Sequence, residues 1–130
     1  MFFTQLSNPC QEIMESEGVG EVLFFFRNIK EGKKWISALL DEDPDFDSEG
    51  YCSFRLGNTT IGLHPSDSKS GQGSSGQVAY WKVPDLRKAI DHFIRNGCHI
   101  YRGPIIGADG AKVCQMKDPF DNLWGLVETR

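Results

Sequence analysis

No apolar run in the 130 residues approaches the roughly 20 needed to cross a bilayer, so a membrane partner is not expected. The first residues, Met1-Phe2-Phe3-Thr4-Gln5, lack the basic region and long apolar stretch of a secretory signal, which leads to the expectation of a cytoplasmic protein. A basic patch is missing too. The densest spot is Lys33-Lys34, with Glu31 just before it, in a chain of net charge −4 and pI about 5.3. Such a chain repels phosphate backbones, so nucleic acid is not an expected partner. No Cys-x-x-Cys occurs among Cys10, Cys52, Cys98 and Cys114, which excludes a zinc ribbon or a thioredoxin-like pair. In a reducing compartment the four are expected to be free thiols acting as small apolar residues. No Ser-His-Asp or Cys-His set stands at a recognisable spacing. The segment Gly103 to Gly110 lacks the Walker and Rossmann patterns, so it is not expected to cradle phosphate.

What the chain does have is a core and a repeat. Apolar residues make up 39%, enough for one ordinary domain. Residues 1–18 read as an N-terminal extension, with a turn at Asn8-Pro9 and a short helix over Gln11 to Glu17. Val19 to Phe26 is bulky and apolar, the signature of a buried strand. Trp35, Ile36, Leu39 and Leu40 share one helical face within Lys30 to Leu40. Asp41 to Glu49 is acidic, contains Pro44 and reads as a loop. Tyr51 to Leu56 and Thr59 to His64 read as strands joined by Gly57-Asn58.

Pro65 to Gly76 has the small, polar composition of a flexible link. Gln77 to Val83 reads as a strand. A helix follows with Asp85 as N-cap, an apolar stripe of Leu86, Ala89, Ile90, Phe93 and Ile94, and an end at Asn96-Gly97. Strands are expected at His99 to Arg102, Ala111 to Lys117 and Leu123 to Glu128. Gly103 to Gly110 is the loop and Asp118 to Asn122 the turn between them. Each half thus follows a β-α-β-β-β plan. Gly20 to Phe25 lies against Gly76 to Trp81, and Asn28-Ile29 against Asp85-Leu86. Such an internal repeat marks a duplicated unit. Neither half has enough chain to bury its sheet alone, so the two are expected to pack together.

Three segments carry a resemblance. Asp118-Pro119-Phe120-Asp121-Asn122, with Leu123-Trp124-Gly125-Leu126 after it, Val83-Pro84-Asp85-Leu86 and Gly103-Pro104 with Asp109-Gly110 are similar to motifs of the vicinal-oxygen-chelate superfamily. That superfamily holds glyoxalases, bleomycin-resistance proteins and dioxygenases. Asp121 stands where glycine is common. The resemblance covers residues 19 to 128. It implies an α+β domain of two βαβββ modules, 19–64 and 77–128, joined by the link 65–76, forming a curved, eight-stranded mixed sheet. It also implies a homodimer.

Members with a metal place ligands, typically His and Glu, on the first and last strand of each module. Those positions fall on Glu21, Gly62, Val78 and Gly125. Valine and two glycines cannot ligate, and a divalent site needs about three protein donors. No metal and no other cofactor is therefore expected. The glycines are expected to leave open space on the floor of the sheet. Strand alternation would turn Glu21, Phe25, His64, Tyr80 and Lys82 toward that space, beside Gly62 and Gly125. The expected occupant is a small apolar or aromatic ligand, neutral or cationic, held without catalysis, as in drug- or metabolite-sequestering members. The alternative is a metal-dependent lyase, isomerase or dioxygenase of the same superfamily. Trp81, on the opposite face from Tyr80, is expected in the core.

Overall fold

The computed structural model describes residues 16–128. Cys10 and most of the short helix expected over Gln11 to Glu17 lie outside the described residues. The first module runs β1 (Glu21–Phe26), α1 (Ile29–Leu40), β2 (Phe46–Asp47), β3 (Cys52–Leu56) and β4 (Thr59–Pro65). The second runs β5 (Tyr80–Val83), α2 (Leu86–Arg95), β6 (His99–Ile106), β7 (Lys112–Lys117) and β8 (Leu123–Glu128). The class is α+β, and the β-α-β-β-β plan appears twice.

Each module builds one four-stranded mixed sheet, in the orders β1-β4-β3-β2 and β5-β8-β7-β6. The first strand pairs parallel with the last, and the remaining pairs are antiparallel. The registers correspond: Leu23 pairs with Gly62, and Tyr80 with Gly125. The expected eight strands are present, divided between two sheets rather than hydrogen-bonded into one.

The helices start and stop where local chemistry dictates. The Asn28 side chain accepts from the N–H groups of Lys30 and Glu31, and Asp85 accepts from Lys88. At the end of α2, Gly97 takes a φ of +89°, and the Cys98 N–H reaches back to the Phe93 carbonyl at 3.0 Å. The buried faces are Ile36 and Leu39 on α1 and Leu86, Ile90 and Phe93 on α2. Between the modules lies an aromatic cluster. Phe24 stacks on Trp124 at 4.8 Å between centroids, and Trp35, Trp81 and Phe93 surround the same indole. Edge and offset contacts of this kind add to the burial of the rings.

Three expectations change. The acidic stretch Asp41 to Glu49 is not all loop, because Phe46 and Asp47 pair with Ser53 and Cys52 as the short β2. β6 extends to Ile106, into the first half of the loop expected over Gly103 to Gly110. Its pairing with β7 shifts register on either side of Arg102, which absorbs the cis Gly103–Pro104 unit. A Cβ at Gly103 would come within 3.0 Å of the Val113 carbonyl, so only glycine fits there. Gln77, Val78 and Ala79 are not strand. The β5–β8 ladder starts at Tyr80, preceded by a single bond from the Gly125 N–H to the Ala79 carbonyl. The link 65–76 is tied to both modules, through Arg27 N–H to Gln72 and through Gly73 N–H to Asn122 Oδ1.

Among the described residues the cysteines Cys52, Cys98 and Cys114 are free and buried. Burial pushes the Cys98 thiol up to about 12 and the Cys52 thiol up to about 11, so neither is a nucleophile near neutral pH.

Candidate functional site

Strand alternation sorts the side chains of β1. Phe24 and Phe26 are buried against the helices, whereas Glu21, Leu23 and Phe25 take the opposite face. Gly62 and His64 of β4 sit beside Leu23 and Phe25, and the Phe25 and His64 rings meet edge to face at 5.4 Å. In the second module Tyr80 and Lys82 stand beside Gly125 and Val127.

The two glycines do not open space. A Cβ at Gly62 would collide with the Glu21 carboxylate and with Leu23, both folded across the glycine. A Cβ at Gly125 would lie 2.7 Å from Cγ of Tyr80 and 2.9 Å from the Ala79 carbonyl. The expectation of open volume there is therefore corrected. Glycine admits a close approach of neighbours, and those neighbours fill the floor. Above Gly125 the Tyr80 hydroxyl accepts from Gln115 Nε2 at 2.8 Å. Over Gly62 the Glu21 carboxylate accepts from the Tyr51 hydroxyl at 2.5 Å. That hydrogen bond, reinforced by burial, raises the Tyr51 pKa above the usual phenol range.

These residues do not fit a divalent metal. Glu21 supplies the one carboxylate at the four positions, while Val78, Gly62 and Gly125 supply none. Among the described residues no three His, Cys, Asp or Glu side chains group closely enough to hold an ion.

Open volume lies to one side of the glycines. A cavity of about 650 Å³ separates the outer edge of β1 from the link and from Gln77 to Ala79. It brings Glu21, Leu23 and Phe25 together with Val78, Lys69 and Asn122. Glu21 and Val78, the first-strand positions of the two modules, thus border one space. Of the other residues expected at a ligand site, Gly62, His64, Tyr80, Lys82 and Gly125 do not line it. Tyr80 and Lys82 border a separate cavity of about 500 Å³ beside the helices. The physical reason is the packing just described: Glu21 and Leu23 occupy the space beside Gly62, and Tyr80 occupies that beside Gly125.

Asn122 is the polar group that sequence reasoning missed. It is 4% exposed. Its Oδ1 accepts from the Gly73 N–H at 2.9 Å, which fixes the amide orientation. Its Nδ2 is buried and has no hydrogen-bond partner among the described residues. An unsatisfied buried donor is uncommon and calls for an explanation. The sequence showed Asn122 only as a turn residue; its second role depends on the link folding back over it. Next to it the buried Asp118 carboxylate holds the turn. Oδ1 accepts from the N–H groups of Phe120 and Asn122, and Oδ2 from the Trp124 indole.

No family model matches the chain, and no curated protein does. Solved structures do. A glyoxalase/bleomycin resistance protein/dioxygenase family enzyme from Burkholderia phytofirmans aligns with a TM-score of 0.72 at 14% identity, over 85% of this chain and 98% of its own. A glyoxalase/bleomycin resistance protein from Albidiferax ferrireducens aligns with a TM-score of 0.67 at 18% identity, over 85% and 98%. A third, from Catenulispora acidiphila and described in the same words, gives 0.65 at 15% identity, over 87% and 100%. The chain has the glyoxalase/bleomycin-resistance fold, which by itself assigns no chemistry.

Proposed function

We propose that this chain is a metal-free small-molecule-binding protein with the glyoxalase/bleomycin-resistance fold, one that sequesters a drug or metabolite. The observation that carries the reading is Asn122. Asn122 borders a cavity of about 650 Å³ whose walls include Leu23, Phe25 and Val78, and its buried Nδ2 has no hydrogen-bond partner among the described residues. A cavity of that size is ordinary for a small-ligand site, and this one sets apolar Leu23, Phe25 and Val78 against polar groups such as Glu21, Lys69, Gln77 and Asn122. The ligand is a small apolar or aromatic molecule with a hydrogen-bond acceptor for Asn122, and a cationic group on it would meet Glu21. The site therefore centres on Glu21, Phe25 and Asn122. His64 supports the Phe25 ring, while Gly62, Gly125, Tyr80 and Lys82 shape the adjoining sheet.

The test is a thermal-shift screen of small aromatic molecules, neutral and cationic, because a ligand that binds only the folded state raises its apparent stability. Hits are expected to lose their shift in Val78→Phe, which fills the cavity, and cationic hits to weaken in Glu21→Gln. Hits indifferent to Val78→Phe would place the site elsewhere. One tightly bound divalent ion per chain, in protein purified without chelator, would favour the rival metal-dependent lyase, isomerase or dioxygenase. The proposal includes pairing into a homodimer, supported by Ile105 and Ile106, which are 54% and 70% exposed on the edge strand β6. Sedimentation of a monomer at micromolar concentration removes that part alone.

A further inference from the structure

The internal repeat relates the two ends of the helix pair. Asn28 and Asp85, the two N-caps, correspond, and the same offset carries Trp35 onto His92 and Asn96 onto Leu39. The structure pairs these residues crosswise. Trp35 Nε1 donates to the Asn96 carbonyl and His92 Nε2 to the Leu39 carbonyl, each at 2.7 Å. The two helices are thus stitched together at two pseudo-equivalent ends.

One end is filled. The Phe120 ring, carried by the β7–β8 turn, packs edge-on against Phe26 at 5.0 Å and Trp35 at 6.0 Å between centroids. At the other end the corresponding β3–β4 turn is Gly57-Asn58, with no aromatic residue, and Val83 stands where Phe26 stands in the first module. The result is the cavity of about 500 Å³, walled by Leu40, Asn58, Trp81, Ala89, Phe93 and Trp124. Trp81 is distinctive among the three tryptophans. The indole N–H groups of Trp35 and Trp124 have acceptors, whereas that of Trp81 is buried with no hydrogen-bond partner among the described residues.

We infer that this cavity is a second binding site, for a small aromatic molecule carrying one hydrogen-bond acceptor. The ring of the ligand takes the place that Phe120 fills at the opposite end. Its acceptor meets the Trp81 N–H. The walls are mainly apolar, with Lys82 and His92 at their border, and the Trp81 donor is already desolvated, so a neutral carbonyl suits that donor.

The test uses acetophenone, which has a phenyl ring and a carbonyl, and ethylbenzene, which keeps the ring and lacks the acceptor. Acetophenone at millimolar concentration is expected to move the Trp81 indole N–H resonance saturably, leaving those of Trp35 and Trp124 nearly in place. Trp81→Phe is expected to weaken acetophenone roughly 5- to 10-fold, the size of one hydrogen bond, and to leave ethylbenzene unchanged. Ala89→Leu, on the wall of the cavity, is expected to abolish both. The inference is overturned if the Trp81 resonance does not move, if acetophenone binds Ala89→Leu as tightly as the wild type, or if Trp81→Phe weakens both molecules equally. A shift of the Asn122 side-chain amide alone would also overturn it, by placing acetophenone in the other cavity. Because Asn122 and Trp81 report separately, failure here leaves the reading of the larger cavity standing.

Discussion

The two modules close their last hairpins by different means. In the first, β3 and β4 pair to the very end, Leu56 opposite Thr59, and Gly57-Asn58 turns the chain with two residues. In the second, pairing stops at Lys117 and Leu123, and five residues intervene. The longer turn is organised around Asp118, a carboxylate that is 2% exposed and takes three hydrogen bonds. It projects Phe120 into the aromatic cluster and places Asn122 beside the link. One extended turn thus fills one end of the helix pair and puts Asn122 on the border of the larger cavity, while its short counterpart leaves the other end open. A duplicated unit can keep its strand register and helix caps and still acquire different sites, because cavities follow side-chain volume at a few turn positions.

The largest expected effect follows from that turn. Asp118→Ala leaves three donors without their acceptor and is expected to cost about 3 kcal/mol or more, read as a lower urea midpoint at constant slope. Burial raises the Asp118 pKa, with the Trp124 indole and two backbone N–H groups partly offsetting it. Its folded-state pKa therefore lies above its unfolded one. The folded protein takes up this proton first as pH falls, so Asp118 favours folding more toward pH ~4 than at neutral pH. The gap between wild type and Asp118→Ala should widen over that range. A loss under about 1 kcal/mol would mean that the two turns are equivalent after all.

The two floor glycines sharpen the comparison at a smaller scale. Gly125→Ala meets the Tyr80 ring near its root and the Ala79 backbone, neither of which moves freely. It is expected to cost roughly 1–3 kcal/mol, and Gly125→Leu at least as much. Gly62→Ala meets the end of an exposed Glu21 side chain, which can swing outward, together with Leu23. Its expected cost is under about 1 kcal/mol. Thermal unfolding of the pair decides this, and equal losses would mean that Glu21 is as fixed as Tyr80.

The smallest effect concerns the helix ends. Trp35→Phe removes one of the two crosswise hydrogen bonds from the filled end and is expected to lose about 1 kcal/mol. Ala89→Leu adds volume at the open end and is expected to be neutral or stabilising by up to about 1 kcal/mol. A marked loss in Ala89→Leu, measured by denaturant unfolding, would show that the open end has no room for a side chain.

Much of the fold was legible in the chain. The stripe from Leu86 to Ile94, the caps Asp85 and Gly97 and the alternation along β1 each follow from contacts within a few residues. The short β2 was hidden because two residues among acids carry no periodicity, and β6 because Gly103-Pro104 reads as a break that the bulged pairing with β7 bridges. The candidate site was legible in part. Glu21, Phe25 and Val78 all border the larger cavity. By sequence alone Asn122 is a turn residue and Trp81 a core residue. What makes them notable is an unpaired donor, and whether a donor is paired depends on residues far away in sequence.

Residue type and short-range spacing are enough to set the duplicated unit, the strand phases and the lack of metal donors at Gly62, Val78 and Gly125. Where empty space lies follows instead from long-range packing. Glu21 and Tyr80 fold over the glycines, Phe120 plugs one end of the helix pair, and the link crosses to Asn122. Each is a contact between distant segments, and packing of that kind is settled only when the whole chain has closed on itself.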